Sequence, residues 1–359
     1  MEDGQFIEYL LDKRVMRKTN NKEILQNVYA SKYKKWIVKY LEKNQIDNVP
    51  ILLACNTLYK LPDTFKIRKN SFFIGDFALF DYLYDWNYVL SSETYHEFVP
   101  NLCLKQCIES YYINGEMDIA YWMCLHFEGL EEYKTGEYYN KEIMTYFVDR
   151  TDIQEKFTMI HEAGHYLFRF IDREDEIKEI KEIYEAFSKI NETNQFIKNN
   201  YDAEKDLYEE CYCDSKAAVY VVQNRDEDAV AKADYYKLLF DTLFYVYILE
   251  YINALCVKND AGRVHYFDYQ LWKLSYRIGN VYSALYAELL NQGNEQEIEI
   301  LKTAYAEFMD TFPEIVKEIR EIVFNIKDFL QENRIGIKEI ASVNDESKIN
   351  FIKEYLALL

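Results

Sequence analysis

Phe157-Thr-Met-Ile-His161-Glu162-Ala163-Gly164-His165-Tyr-Leu-Phe168 is the stretch on which the reading of this chain turns. Ile153, Phe157, Ile160, Gly164, Leu167 and Ile171 recur at steps of three and four, the spacing of a helix with one apolar face. Just upstream, Asp149-Arg150-Thr151-Asp152 offers capping side chains, with Glu155 three residues after Asp152 as in a capping box. The helix is therefore expected to open at Thr151 or Asp152 and to end near Asp172. Gly164 in its interior costs about 1 kcal/mol relative to Ala, so a packing reason for it is expected.

On such a helix His161 and His165 stand one turn apart on one face, and both imidazoles can reach a single metal ion. Glu162 lies about 100° round the helix, near enough to take a proton from a water polarised there and to return it to a leaving amine. Zn²⁺ is the expected cofactor, and peptide-bond hydrolysis the expected reaction. A catalytic zinc takes three protein ligands and leaves one position open. Phe168 and Ile171 exclude the longer HExxHxxGxxH pattern, so the third ligand comes from elsewhere. Glu210 is the first candidate, on a helix expected over 207–224. Asp214 follows it by one turn, so both carboxylates share a face. Glu210 would bind the metal and Asp214 would accept an N–H from a ligand histidine. Glu209 ranks second, because its neighbour one turn on is Cys213. Cys211 and Cys213 point to different faces of that helix and read as buried small residues. For a donor to the developing oxyanion, His265 is placed first, ahead of Tyr166, Tyr208, Tyr266 and Arg169.

Lys156 to Phe168, KFTMIHEAGHYLF, resembles the RFTLAHELGHYLLH pattern of ImmA/IrrE-type metallopeptidases. Glu210-Cys-Tyr-Cys-Asp214-Ser-Lys-Ala217-Ala218 is similar to that family's E-x-E-A-N-x-F-A-A helix, with Tyr212, Asp214 and Lys216 standing where Glu, Asn and Phe are usual. The likeness spans about residues 119–225. It implies His161, His165 and Glu210 as zinc ligands, Glu162 as catalytic acid and base, and a specific regulatory protein as substrate. Two rival readings are a metal-binding regulator that does not cut its partner, and an oligopeptidase of the gluzincin type.

Around this segment the chain reads as α+β and mostly α: a zincin-like metallopeptidase core with a small sheet, flanked by helical regions. The expected divisions are 1–115, 116–225 and 226–359. Of 359 residues only 10 are Gly and 4 Pro, which favours long helices. Residues 50–70 read as a short helix and a loop, and 71–115 as packed helices. Ala120 to Phe127 and Ile143 to Val148 are short aromatic runs and read as strands, placed to offer a sheet edge to an extended substrate. The charged stretch 172–206 reads as a surface helix. Further helices are expected over about 228–257, 267–292, 294–311, 313–333 and 346–358, with breaks near Gly262, Gly293 and Pro313. His96 and His126 read as structural. With 62 acidic against 42 basic residues the net charge is −20, which argues against general binding to nucleic acid or anionic membranes. The seven scattered cysteines, the polar N-terminus without a leader-like apolar core and the lack of an 18-residue apolar run predict a cytoplasmic protein with reduced thiols. Leu238 to Cys256, the most apolar stretch, carries Asp241 and Glu250 and reads as a buried helix. The expected partner is a protein or peptide substrate.

Overall fold

Among the described residues there are long helices and one small sheet, and the sheet lies earlier than the aromatic runs suggest. The computed structural model describes residues 22–127 (apart from 56, 68–69 and 92–95), 141–168, 178, 182, 204–225, 230–257 and 263–358. Helix α1 (Lys22–Lys43) leads into strands β1 (Ile51–Cys55), β2 (Asp63–Ile67) and β3 (Asn70–Asp76). Their order is β1-β3-β2, with β1 parallel and β2 antiparallel to β3. β3 is the buried centre, and Phe65 of β2 stacks on its partner Phe72 at 5.4 Å. Helices α2 (Ala78–Val89), α3 (Val99–Ile113), α4 (Met117–His126), α5 (Lys141–Phe168), α6 (Glu204–Gln223), α7 (Lys232–Val257), α8 (Arg263–Asn291), α9 (Glu295–Glu332), α10 (Arg334–Glu339) and α11 (Asp345–Leu358) follow.

Both expected strands are therefore helical: Ala120 to His126 lies in α4, and Ile143 to Val148 is the first part of α5. Aromatic content marks a side chain that fits a half-buried surface, and α4 supplies such a surface. Trp122 is buried there, stacked on the His126 ring at 4.2 Å. The sheet instead uses 51–76, where a short helix and a loop were expected to about 70 and packed helices from 71. Its signals are the apolar run of β1 and the alternation in Asp63-Thr-Phe-Lys-Ile67. The stretch expected as a surface helix over 172–206 lies almost wholly outside the described residues.

The expected cap of the metal helix is also displaced, because α5 starts at Lys141. Thr151, Asp152 and Glu155 are interior residues that clamp the helix from the side. Asn87 of α2 donates to Thr151 Oγ1 (3.1 Å) and to Gln154 Oε1 (2.6 Å). From α1, Lys32 reaches Asp152 and Glu155 at 2.6 Å each, and the Tyr33 hydroxyl donates to Glu155 at 2.7 Å. Glu155, Thr151 and Gln154 are fully buried. Removing one partner from such a set leaves a costly orphan, so these bonds fix how α5 sits.

One apolar cluster runs from Tyr33 to Leu356 and includes the inner face of every long helix. α7 is, among the described residues, the one helix long and apolar enough to cross a membrane, and 78% of its most apolar window is buried inside the fold. α9 continues unbroken through Pro313, where a break was expected. Pro313 is exposed and takes from the helix only the one bond that its N–H would have made to the Met309 carbonyl. All seven cysteines are free and buried.

Candidate metal centre

Four helices converge on the histidine pair. α5 supplies His161, Glu162 and His165, α6 supplies Glu209, Glu210 and Asp214, α7 forms the facing wall and α8 supplies Arg277. The close approach of α5 to α6 explains Gly164. A Cβ at that position would stand 3.1 Å from Cα, Cβ and Sγ of Cys213, tighter than ordinary contact. Cys211 and Cys213 are fully buried small residues, and burial pushes both thiols well up.

His161 Nε2 and His165 Nε2 are 3.1 Å apart. Glu210 Oε2 lies 3.5 Å from the first, and Glu210 Oε1 lies 3.6 Å from the second. Ligands arranged tetrahedrally at zinc distances stand roughly 3.3 Å from each other, so the three donors are spaced as a metal requires. All three lie within 4.8 Å of one another.

The opposite edges of both rings face carboxylates. His165 Nδ1 meets Glu209 Oε1 at 2.8 Å. His161 Nδ1 lies 2.8 Å from Asp214 Oδ1, at ion-pair distance but off the ideal hydrogen-bond angle. With Nδ1–H turned to a carboxylate, each Nε2 presents a lone pair. Two lone pairs 3.1 Å apart, beside an ionised carboxylate, repel unless a cation lies between them or one ring takes a second proton. The donor set thus fits a divalent metal of the zinc type.

Arg277 completes the electrostatics. Its Nε and Nη2 donate to Asp214 at 2.6 and 2.9 Å, and Nη2 also lies 3.0 Å from Glu210 Oε2. Burial alone would push Asp214 up, but Arg277 and His161 hold it well below the carboxylate range. Glu210 is likewise pulled below its usual value: burial opposes this, and Arg277, His161, His165 and Lys273 outweigh burial. Asn280, one turn beyond Arg277, donates to the Cys211 carbonyl at 2.8 Å and pins α8 to α6.

Of the expected site residues, His161, Glu162, His165, Glu210 and Asp214 come together in one cleft. Glu162 Oε2 lies 3.8 Å from His165 Nε2, on the metal side of the pair. Glu209, ranked second as a ligand, instead faces the back of His165. The side chain of His265, like that of Tyr266, lies outside the described residues, although both positions belong to α8; Arg169 is outside them as well. Tyr166 donates to the Asn48 carbonyl at 2.6 Å, and Tyr208 packs in a small cluster with Tyr212 and Tyr276. His96 pairs with Glu318 at 2.7 Å and His126 binds its own helix, both away from the cleft. Sequence reasoning missed Arg277, which lies 63 residues beyond Asp214 on a helix without a motif.

The cleft beside the histidines has an empty volume of about 540 Å³ and opens to solvent. Leu61 and Pro62, leading into edge strand β2, form one lip, and Thr242, Leu243, Val246 and Glu250 of α7 form the other. The lip is anchored from below by Lys60, a buried residue that pairs with buried Glu109 and donates to Gln106 at 2.7 Å. No protein-family model, curated protein or solved structure matches the chain.

Proposed function

We propose that this chain is a zinc-dependent peptidase of the His-Glu-x-x-His type, with Glu210 as the third ligand. The observation that carries the reading is the convergence of His161 Nε2, His165 Nε2 and Glu210 at 3.1–3.6 Å, with Asp214 and Glu209 behind the two rings. When bound, zinc would supply a Lewis acid that lowers the pKa of a water and polarises a carbonyl. Asp214 and Glu209 hold the imidazoles in the tautomer that offers Nε2. Glu162 takes the proton of the attacking water and hands it to the departing amine. Arg277 keeps Glu210 and Asp214 ionised, so both stay available to the metal and to His161.

The lips formed by Leu61, Pro62 and the α7 stripe would take an extended peptide, with edge strand β2 beside them. The α+β, mostly helical architecture is compatible with a zincin-like core, and the resemblance of 156–168 and 210–218 to ImmA/IrrE-type peptidases supports a specific regulatory protein as substrate. The net charge of −20 supports action on protein rather than nucleic acid, and the seven free, buried cysteines support a reducing, cytoplasmic compartment. Metal analysis and a peptide-cleavage screen of the wild type beside Glu162→Gln test the proposal. The variant should retain the metal and lose hydrolysis; hydrolysis that survives it would remove Glu162 from the mechanism.

A further inference from the structure

One carboxylate in the cleft has no part in holding the metal position. The α7 residues that face the cleft are Thr242, Leu243, Val246 and Glu250. At 100° per residue all four fall within one quadrant or so of the helix, and they span about 12 Å of its axis. That is room for about three to four residues of extended chain. The Thr242 hydroxyl is turned back to the Leu238 carbonyl at 2.6 Å. The stripe therefore offers two apolar side chains and then a negative charge.

Every other acid in the cleft has a task. Asp214 and Glu210 hold Arg277, and Asp214 and Glu209 face the histidines. Glu162 stands beside His165. Glu250 makes no ion pair or hydrogen bond with any described residue. Its side chain is exposed to the water of the cleft, and partial desolvation by the cleft walls raises its pKa against the pull of Lys273 and Arg277. Arg277 is committed to Asp214 and Glu210, and Lys273 acts from beyond ion-pair reach. An acid at the cleft wall that is engaged neither with Arg277 nor with the histidines is available to a cation brought in by a ligand.

We infer that Glu250 is a specificity residue that receives a positively charged group of the substrate, while Leu243 and Val246 receive apolar side chains next to it. The inference rests on the peptidase reading and names its substrate class: peptides carrying an amino or guanidinium group close to the cut, flanked by apolar residues. Two sources share that chemistry, a Lys or Arg side chain and a free amino terminus.

The test uses the full chain loaded with zinc. Hexapeptides carry Lys, Arg, norleucine or Gln in turn at each position, once with a blocked and once with a free amino terminus. Cleavage is read as kcat/KM, and equilibrium binding of the same peptides is read with Glu162→Gln. The cationic peptides should be favoured over their norleucine counterparts by about two- to fivefold, the scale of a solvent-exposed ion pair. In Glu250→Gln that ratio should fall to about one, and in Glu250→Lys the preference should pass to acidic peptides. Glu250→Asp, which keeps the charge on a shorter stem, should lie between, and zinc content and unfolding midpoint confirm that each variant is folded. Preference that survives blocking assigns the side chain, and preference lost on blocking assigns the terminus. A wild type indifferent to the cation, or a preference that persists in Glu250→Gln, overturns the inference. Absence of zinc, or turnover that survives Glu162→Gln, defeats the peptidase reading instead, and the binding ratios still decide the role of Glu250.

Discussion

Gly164→Ala separates two effects that oppose each other. Ala in place of Gly inside a helix gains about 1 kcal/mol. The new methyl, however, would stand 3.1 Å from the Cα of Cys213, where ordinary carbon contacts are about 3.5–4.0 Å. A backbone atom cannot swing aside, so α5 and α6 must part by a few tenths of an ångström. Overpacking of this kind costs about 1–3 kcal/mol. The net change in stability of the metal-free protein is a loss of about 0–2 kcal/mol. The metal position is less forgiving, because His161 and His165 ride on α5 and Glu210 on α6. Ligand distances tolerate only about 0.2 Å, so zinc affinity should fall about tenfold or more, on the scale of 10–100-fold seen when the support of ligands is disturbed. Urea unfolding with and without zinc, together with competition titration against a chelator, reads both numbers. Gly164→Val should be worse on each. A Gly164→Ala protein that is more stable and binds zinc as tightly as the wild type would refute the claim that this contact sets the spacing of the ligands.

Other expectations follow from the same contacts. Asp214→Asn and Glu209→Gln should each weaken zinc binding by about 10–100-fold while leaving one metal per chain at saturation, as measured by the same titration. Lys32→Met should cost about 2–3 kcal/mol, less than a fully buried pair because Lys32 is 24% exposed. The loss should be larger at pH 8 than at pH 5. Burial already raises the Glu155 carboxyl against the pull of Lys32, and without Lys32 it rises further. A carboxyl raised in the folded state contributes stability below its unfolded value, and that contribution is lost as pH climbs through the folded one. The sign is the same for Asp241, which burial, with Asp234, lifts to about 7 against Lys237 and Arg150. Asp241→Asn should therefore raise the unfolding midpoint above pH 7 and change little near pH 4; a midpoint shift of the opposite order would contradict that environment.

Helix α5 and its histidine pair were legible because two demands coincide there: a packing stripe at helical spacing, and two histidines one turn apart. Glu210 and Asp214 were legible for the same reason, since a step of four places two carboxylates on one face. The place of Glu209 was not, because consecutive residues on a helix point about 100° apart, and only the orientation of α6 decides which carboxylate lies beside the two Nε2 atoms and which meets the back of His165. Arg277 carries no local signal at all, since its function arises from the packing of α8 against α6. The misplaced strands have a different cause. Phe147 and Trp122 are buried aromatic residues whose burial is satisfied by helix packing, and short apolar runs do not distinguish the two backbones. β1 and β3 form a sheet through their pairing with each other, a non-local fact that composition records only weakly.

The central claim is that His161, His165 and Glu210 hold one zinc ion. Metal content of the purified protein, measured beside His161→Ala, Glu210→Ala and Glu162→Gln, tests it most directly. The account predicts one zinc per chain in the wild type and in Glu162→Gln, and a loss of tight binding in the two ligand variants. A wild type that binds no divalent metal, or a Glu210→Ala protein with unchanged stoichiometry and affinity, would contradict it.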